Sequence, residues 1–281
     1  MSRSGSRTAR GRSGVRYLSV LLLFCLFLCM FPSCGQPPAT DGEDLPPLRI
    51  GSDDYAPFFY MDENGEFAGM DVALATEVCR RLGYRVEFVR IDWTKKDILL
   101  AAGEVDCLWG SFSMTGREDR YIWAGPYMNS RQVVVVPEDS DIHTLSDLAG
   151  RRVAVQATSK PDEIFSSGTD ERIPPLRDLY CFENMKNVFA ALRKGYVDAI
   201  AGHETAFRDY MRYTSGNYRV LDENLLDGHL GVAFDKNGDG VMAGKVKATL
   251  DEMKNDGFTQ EILRAYGIDS DFALEDDGWA K

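Results

Sequence analysis

Apolar residues in MDVALATEVCRRLG (70–83) recur at Val72, Ala75, Val78, Cys79 and Leu82. That spacing lines one face of an α-helix, and Gly83 stands where such a helix would end. Two short runs flank it, LRIGS (48–52) and RVEFVRI (85–91), and both predict strands. The alternation continues with KKDILLAAG (95–103), a short helix, and VDCLWGS (105–111), a strand. Helices alternating with strands predict an α/β layer fold whose strands are mostly parallel.

An internal echo divides the chain. AAGEVDCLWG (101–110) and LRKGYVDAIAG (192–202) each end a helix with glycine, pass through Val-Asp into a strand and reach a second glycine seven residues later. Two α/β segments carrying one pattern predict two similar lobes. RQVVVV (131–136) and HLGVAF (229–234) are extended passages, one leaving the first lobe and one returning, and KVKATLDEMKNDGFTQEILRAYG (245–267) is a helical stretch that completes the first lobe. Two passages between lobes make a hinge. The expected organisation is lobe 1 at 48–135 plus 231–269, lobe 2 at 136–230, and a C-terminal tail at 270–281.

The N-terminus adds a location. Five arginines and no acid in the first sixteen residues precede LSVLLLFCLFLCMF (18–31), an apolar run too short for a comfortable membrane span, which predicts a secretory signal over 1–33. FPSCG (31–35) sets a small residue before a cysteine just after that core. Lipoprotein processing would leave a diacylglycerol-modified Cys34, and plain secretion is the alternative. GQPPATDGEDLP (35–46) has little to bury, so 34–47 is a tether. Loss of the five signal arginines takes the formal net charge from −12 to −17. A chain that acidic should avoid nucleic acid, and should meet a membrane only through its anchor.

Six cysteines become three after processing, because Cys25 and Cys29 leave with the signal and Cys34 is lipidated. An odd remainder, Cys79, Cys107 and Cys181, without metal-type spacing argues against a disulfide framework or zinc site. Cys79 on the helical stripe and Cys107 in a strand are expected to be buried thiols, with a Cys79–Cys107 bridge left open. DKNGDGVMAGKV (235–246) starts like a calcium loop but has Val246 where a bidentate glutamate is needed. No metal or cofactor is expected.

Ligands of open α/β sheets bind beyond the carboxyl ends of strands, which here places Ser111, Ser113 and Arg117 after one strand and His203 and Glu204 after the other. In GSFSMTGREDR (110–120) two serines precede Arg117, and Glu118 and Asp119 follow it. The guanidinium either pairs with those acids or is kept for a carboxylate from solution, to which it offers a planar fork. His203 has no second histidine near it in sequence, so contact with a ligand or solvent is expected rather than a metal.

Four stretches together carry a family resemblance: IGSDDYAPFFYMDENGEFAGMDVALATEVCRRLG (50–83), VDCLWGSFSMTGREDRYIWAGPYMNSRQVVVV (105–136), LSDLAGRRVAVQATS (145–159) and GYVDAIAGHETA (195–206). Over nearly all of 48–268 the chain resembles the bacterial extracellular solute-binding proteins of family 3, the amino-acid receptors of ABC importers. The resemblance implies a type II two-lobed periplasmic-binding-protein fold, a monomer without catalytic activity, and an extracytoplasmic protein that passes an amino acid or related carboxylate to an ABC permease. It implies Asp53 and Tyr55 at the cleft rim, and backbone and hydroxyl bonds from Gly110, Ser111 and Ser113. Arg117 would hold the α-carboxylate, and Ser159 would open a helix whose amides face the same group. Two departures stand out. Arg117 aligns across a one-residue deletion, and the family's ammonium-binding aspartate aligns with His203, leaving Glu204 as a substitute if the turn is shifted. A periplasmic dehydratase acting on prephenate or arogenate, with Glu204 or His203 as general acid, and a stand-alone sensor are the alternatives.

Overall fold

The structure, a computed structural model, describes residues 44–276 and 278; the expected signal and Cys34 lie outside them. β1 (Pro47–Ser52) leads through a turn to a small hairpin, β2 (Tyr60–Met61) and β3 (Phe67–Ala68), and then to α1 (Met70–Leu82). The apolar stripe of α1 buries Val72, Ala75, Val78 and Cys79, and Gly83 ends the helix at φ 72° with its N–H turned to the Arg80 and Cys79 carbonyls. β4 (Arg85–Arg90), α2 (Lys96–Ala101) and β5 (Cys107–Leu108) follow. β5 is only two residues long, shorter than predicted, because the chain leaves the sheet before Gly110 to build a loop.

The second segment repeats the plan. β6 (Ile122–Pro137) crosses to β7 (Arg152–Gln156), α3 (Lys160–Ser167), β8 (Asp178–Phe182), α4 (Met185–Arg193), β9 (Ala199–His203), α5 (Glu204–Tyr213) and β10 (Tyr218–Val220). β11 (Leu226–Phe234) returns, and α6 (Val241–Asn255), α7 (Phe258–Ala265) and α8 (Ser270–Ala273) close the described chain. The strands lie in the order β4-β1-β5-β11-β6-β9-β7-β8, with β10 also paired to β6. β1 is parallel to β4 and β5, β7 is parallel to β8 and β9, and β6 runs antiparallel to β11 and β9. Two parallel three-stranded segments are therefore joined by the β6–β11 pair, the two passages read from the sequence.

The Val-Asp echo has a physical basis. Asp106 accepts the Arg49 backbone N–H at 2.7 Å and its Nη2 at 2.6 Å, and Asp198 accepts the same groups of Arg152 at 2.8 and 2.7 Å. In each lobe the aspartate before the third strand pins the start of the first. These pairs are partly exposed, so each adds little stability and mainly fixes register.

Cys79 and Cys107 are buried free thiols, and burial pushes the Cys79 thiol up to about 11; the possible bridge is not formed. Asp235 to Gly240 make a polar turn in which Asp235 accepts the Asn237 N–H at 3.0 Å and Gly240 caps α6. The expected tail begins as a docked helix. Asn129 Nδ2 donates to the Phe272 and Glu275 carbonyls at 3.2 and 3.0 Å, and the Arg131 guanidinium lies 3.7 Å from the Phe272 ring centroid.

Candidate functional site

The ends of β1, β5, β7 and β9 converge on a cavity of about 30 Å³, lined among others by Asp53, Tyr55, Gly110, Ser111, Ser113, Arg117, Ser159 and His203. All the cleft residues expected from the sequence meet there except Glu204. The wall also holds Gln132, Gln156 and Lys160, with Trp93 and Phe112.

The loop after β5 is held in one shape from behind. Gly110 packs against Ser52 so closely that a Cβ would stand 1.8 Å from Ser52 Oγ. Ser111 adopts φ 48°, and across the cavity Thr158 adopts φ 59°, two non-glycine residues in a conformation that costs about 1–3 kcal/mol each. Ser111 is secured by its N–H, which donates to Asp71 Oδ2 at 2.7 Å, and the Tyr127 hydroxyl donates to the same oxygen at 3.1 Å. Asp71 is buried, and desolvation lifts its carboxyl to about 7 against the pull of those donors. Met114 N–H bonds the His229 carbonyl at 2.8 Å, and Ser113 Oγ accepts from Gln132 Nε2 at 3.2 Å, so the loop is tied to both central strands.

Arg117 is buried, with 3% of its side chain exposed. Neither acid beside it is its partner: Glu118 accepts from Gly116 N–H at 2.9 Å, and the Asp119 carbonyl accepts from Lys236. Arg117 Nε instead donates to Glu163 Oε1 at 3.0 Å, Nη2 to the Thr158 carbonyl at 3.3 Å and Nη1 to the Ser113 carbonyl at 3.5 Å. Glu163, on α3, also receives Arg120 at 2.7 Å and Lys160 at 3.2 Å. Burial by itself would raise the Glu163 carboxyl, but the charges of Arg117 and Lys160 prevail and hold it below the usual range.

His203 is built into the wall. Its Nδ1 lies 2.8 Å from Ser130 Oγ, Gln132 Nε2 lies 3.0 Å from its Nε2, and its backbone N–H donates to Tyr55 OH at 3.1 Å. Burial drives the imidazole down to about 3, so the ring is neutral near neutral pH. Asp53 accepts Gln156 Nε2 at 2.6 Å, and burial lifts its carboxyl to about 6. Asp53 directly follows β1 and Gln156 ends the equivalent strand β7, so this bond joins the lobes across the cavity. Ser159 caps α3, its Oγ accepting the Asp162 N–H at 3.4 Å.

The expectation that Glu204 faces the ligand is corrected. The chain turns from β9 into α5 between His203 and Glu204, and the two consecutive side chains line different cavities. Glu204 meets Arg131 at 3.4 Å and Arg208 at 2.5 Å in a separate cavity of about 320 Å³ shared with Phe272.

Sequence reasoning missed Asp71, Gln132, Gln156 and Glu163. The two glutamines had a signal, each being the lone amide of a β-rich run, RQVVVV and RVAVQ. Asp71 opened an apolar helix without any mark of its role. Glu163 had none, since its contact with Arg117 spans 46 residues.

The family description "Bacterial extracellular solute-binding proteins, family 3" matches residues 48–269. The L-cystine-binding protein TcyA of Bacillus subtilis is 28% identical over 78% of this chain and 80% of its own length. The histidine-binding periplasmic protein of Escherichia coli is also 28% identical, over 78% of this chain and 86% of its own. The crystal structure of Tv2483 bound to L-arginine superposes with a TM-score of 0.73 at 28% identity, covering 79% of this chain and 90% of the other.

Proposed function

Because this chain belongs to the bacterial extracellular solute-binding proteins of family 3, we propose that it captures an amino acid or closely related small carboxylate between its lobes and delivers it to an ABC permease outside the cytoplasm. The observation that supports the reading best is Arg117, a buried guanidinium beside the strand-end serines and already holding a carboxylate oxygen at 3.0 Å. In this role Arg117 grips the solute carboxylate, Ser111 and Ser113 border it, Tyr55 covers it, and Asp53 is the carboxylate available to an amine. His203 is neutral and replaces the acid expected of the family, so any ammonium contact falls to Asp53 or to hydrogen-bond acceptors.

Small-molecule sites occupy roughly 300–1,000 Å³, whereas this cavity measures about 30 Å³. Solute therefore enters after the lobes part about the β6–β11 pair, with 48–135 and 231–269 moving against 136–230. The dehydratase alternative has less support: Glu204 lines a separate cavity, and burial keeps the His203 ring in its neutral form, a weak general acid.

A thermal-shift screen of the L-amino acids tests the function: at least one should raise the melting temperature, and by more as its concentration rises above Kd, with the logarithm of concentration. If none does while a ketoacid does, the amino-acid assignment is wrong and the carboxylate assignment survives. Cys34 as a lipid anchor, with the chain monomeric, completes the reading. Cys34→Ser should move the protein from the membrane fraction to the soluble one, and a wild type that is already soluble would remove the anchor.

A further inference from the structure

Arg117 and Arg120 belong to the segment between β5 and β6, and Lys160 and Glu163 to α3 beyond β7. These elements lie on opposite sides of the β6–β11 pair in the sheet order. The Glu163 carboxylate thus reaches across the cleft, one oxygen on Arg117 and Arg120 and the other on Lys160. Three cations converge on it, and one of them is the group that the proposed function assigns to the solute. The cavity that Arg117 and Lys160 line, about 30 Å³, is too small for an amino acid.

We propose that Glu163 is an internal competitor for Arg117, so that a solute binds by exchanging its own carboxylate for that of Glu163. This rests on the assignment of Arg117 to the solute carboxylate. A guanidinium has five N–H donors, and Glu163 takes only Nε, while Nη1 and Nη2 lean on the Ser113 and Thr158 carbonyls. When the lobes part, Arg117 and Arg120 leave Glu163 together, and Lys160 stays with it on its own helix. An incoming carboxylate then meets two unpaired guanidiniums on one lobe. Re-closure on a solute requires Glu163 to move aside or to keep only Arg120 and Lys160. Every solute thus binds more weakly than its contacts alone would give, and solutes without an anionic group cannot take the place of Glu163 on the guanidinium. The residue sets both affinity and selectivity for an anion.

Glu163→Gln keeps the shape and removes the competing charge. Without added solute, the variant should populate a more open form, seen in small-angle scattering as a larger radius of gyration than wild type. Against the L-amino-acid panel, it should bind whichever member wild type binds about tenfold more tightly. In an Arg117→Ala background, Glu163→Gln should give no gain, because the contested group is gone. Acetate provides a test that needs no amino acid: in a Glu163→Gly chain, added acetate should restore the wild-type scattering curve, and chloride at equal ionic strength should not. Weaker binding by Glu163→Gln would make Glu163 a positioning residue for Arg117 and overturn competition. Scattering curves of wild type and both Glu163 variants that superpose would overturn it too. If the acetate and scattering results hold but no amino acid binds wild type, the exchange stands and the amino-acid assignment fails.

Discussion

Arg117→Ala is expected to weaken solute binding by about thirtyfold or more. Removing one partner of a desolvated, hydrogen-bonded charge pair costs roughly 2–5 kcal/mol, and each 1.4 kcal/mol is about tenfold in affinity. Only 3% of the Arg117 side chain is exposed, so water does little to replace it. The fold should survive, since Glu163 keeps Arg120 and Lys160 and Trp123 Nε1 bonds the backbone carbonyl of residue 117, not its side chain. Calorimetry with the amino acid that shifts wild type most reads the effect. An Arg117→Ala protein that remains folded and binds like wild type would sink both the carboxylate role and the exchange with Glu163.

The second large effect lies behind the loop. Asp71 titrates at about 7 in the folded protein against 3.8 when exposed, chiefly because burial penalises its charge. A carboxyl raised in the folded state contributes stability that is fully present below its unfolded pKa and is lost as pH rises through the folded one. Between about pH 4 and pH 8 the loss from Asp71 is on the order of 4 kcal/mol, at roughly 1.4 kcal/mol for each pH unit separating the two pKa values. Asp53, raised to about 6 by burial, adds a smaller loss with the same sign. Asp71→Asn keeps an acceptor for the Ser111 N–H and cannot ionise, so its stability relative to wild type should improve steadily over that pH range. Urea denaturation at pH 4 and pH 8 measures the change. A wild-type-to-variant difference equal at the two pH values would mean that Asp71 does not titrate there.

The sequence carried the repeating plan of the fold because that plan is written in local patterns. The α1 stripe from Val72 to Leu82 and its end at Gly83 follow from helical periodicity and from the freedom of glycine at positive φ. The Val-Asp echo marked the two lobes because Asp106 and Asp198 do the same work at the start of equivalent strands. Strand ends likewise located Ser111, Ser113, Arg117 and His203 at one cavity, since α/β sheets present ligands to that edge. Sequence could not decide what Arg117 faces. Local reading offered Glu118, Asp119 or a solute, and the partner is Glu163, brought there by the crossing of β6 and β11 and the placement of α3. Nor could it decide between His203 and Glu204, because one turn from strand to helix sends adjacent residues into different cavities. Periodicity and capping act over a few residues and remain visible in the chain, whereas charge pairing across a cleft depends on distances that exist only after two lobes have packed about their hinge.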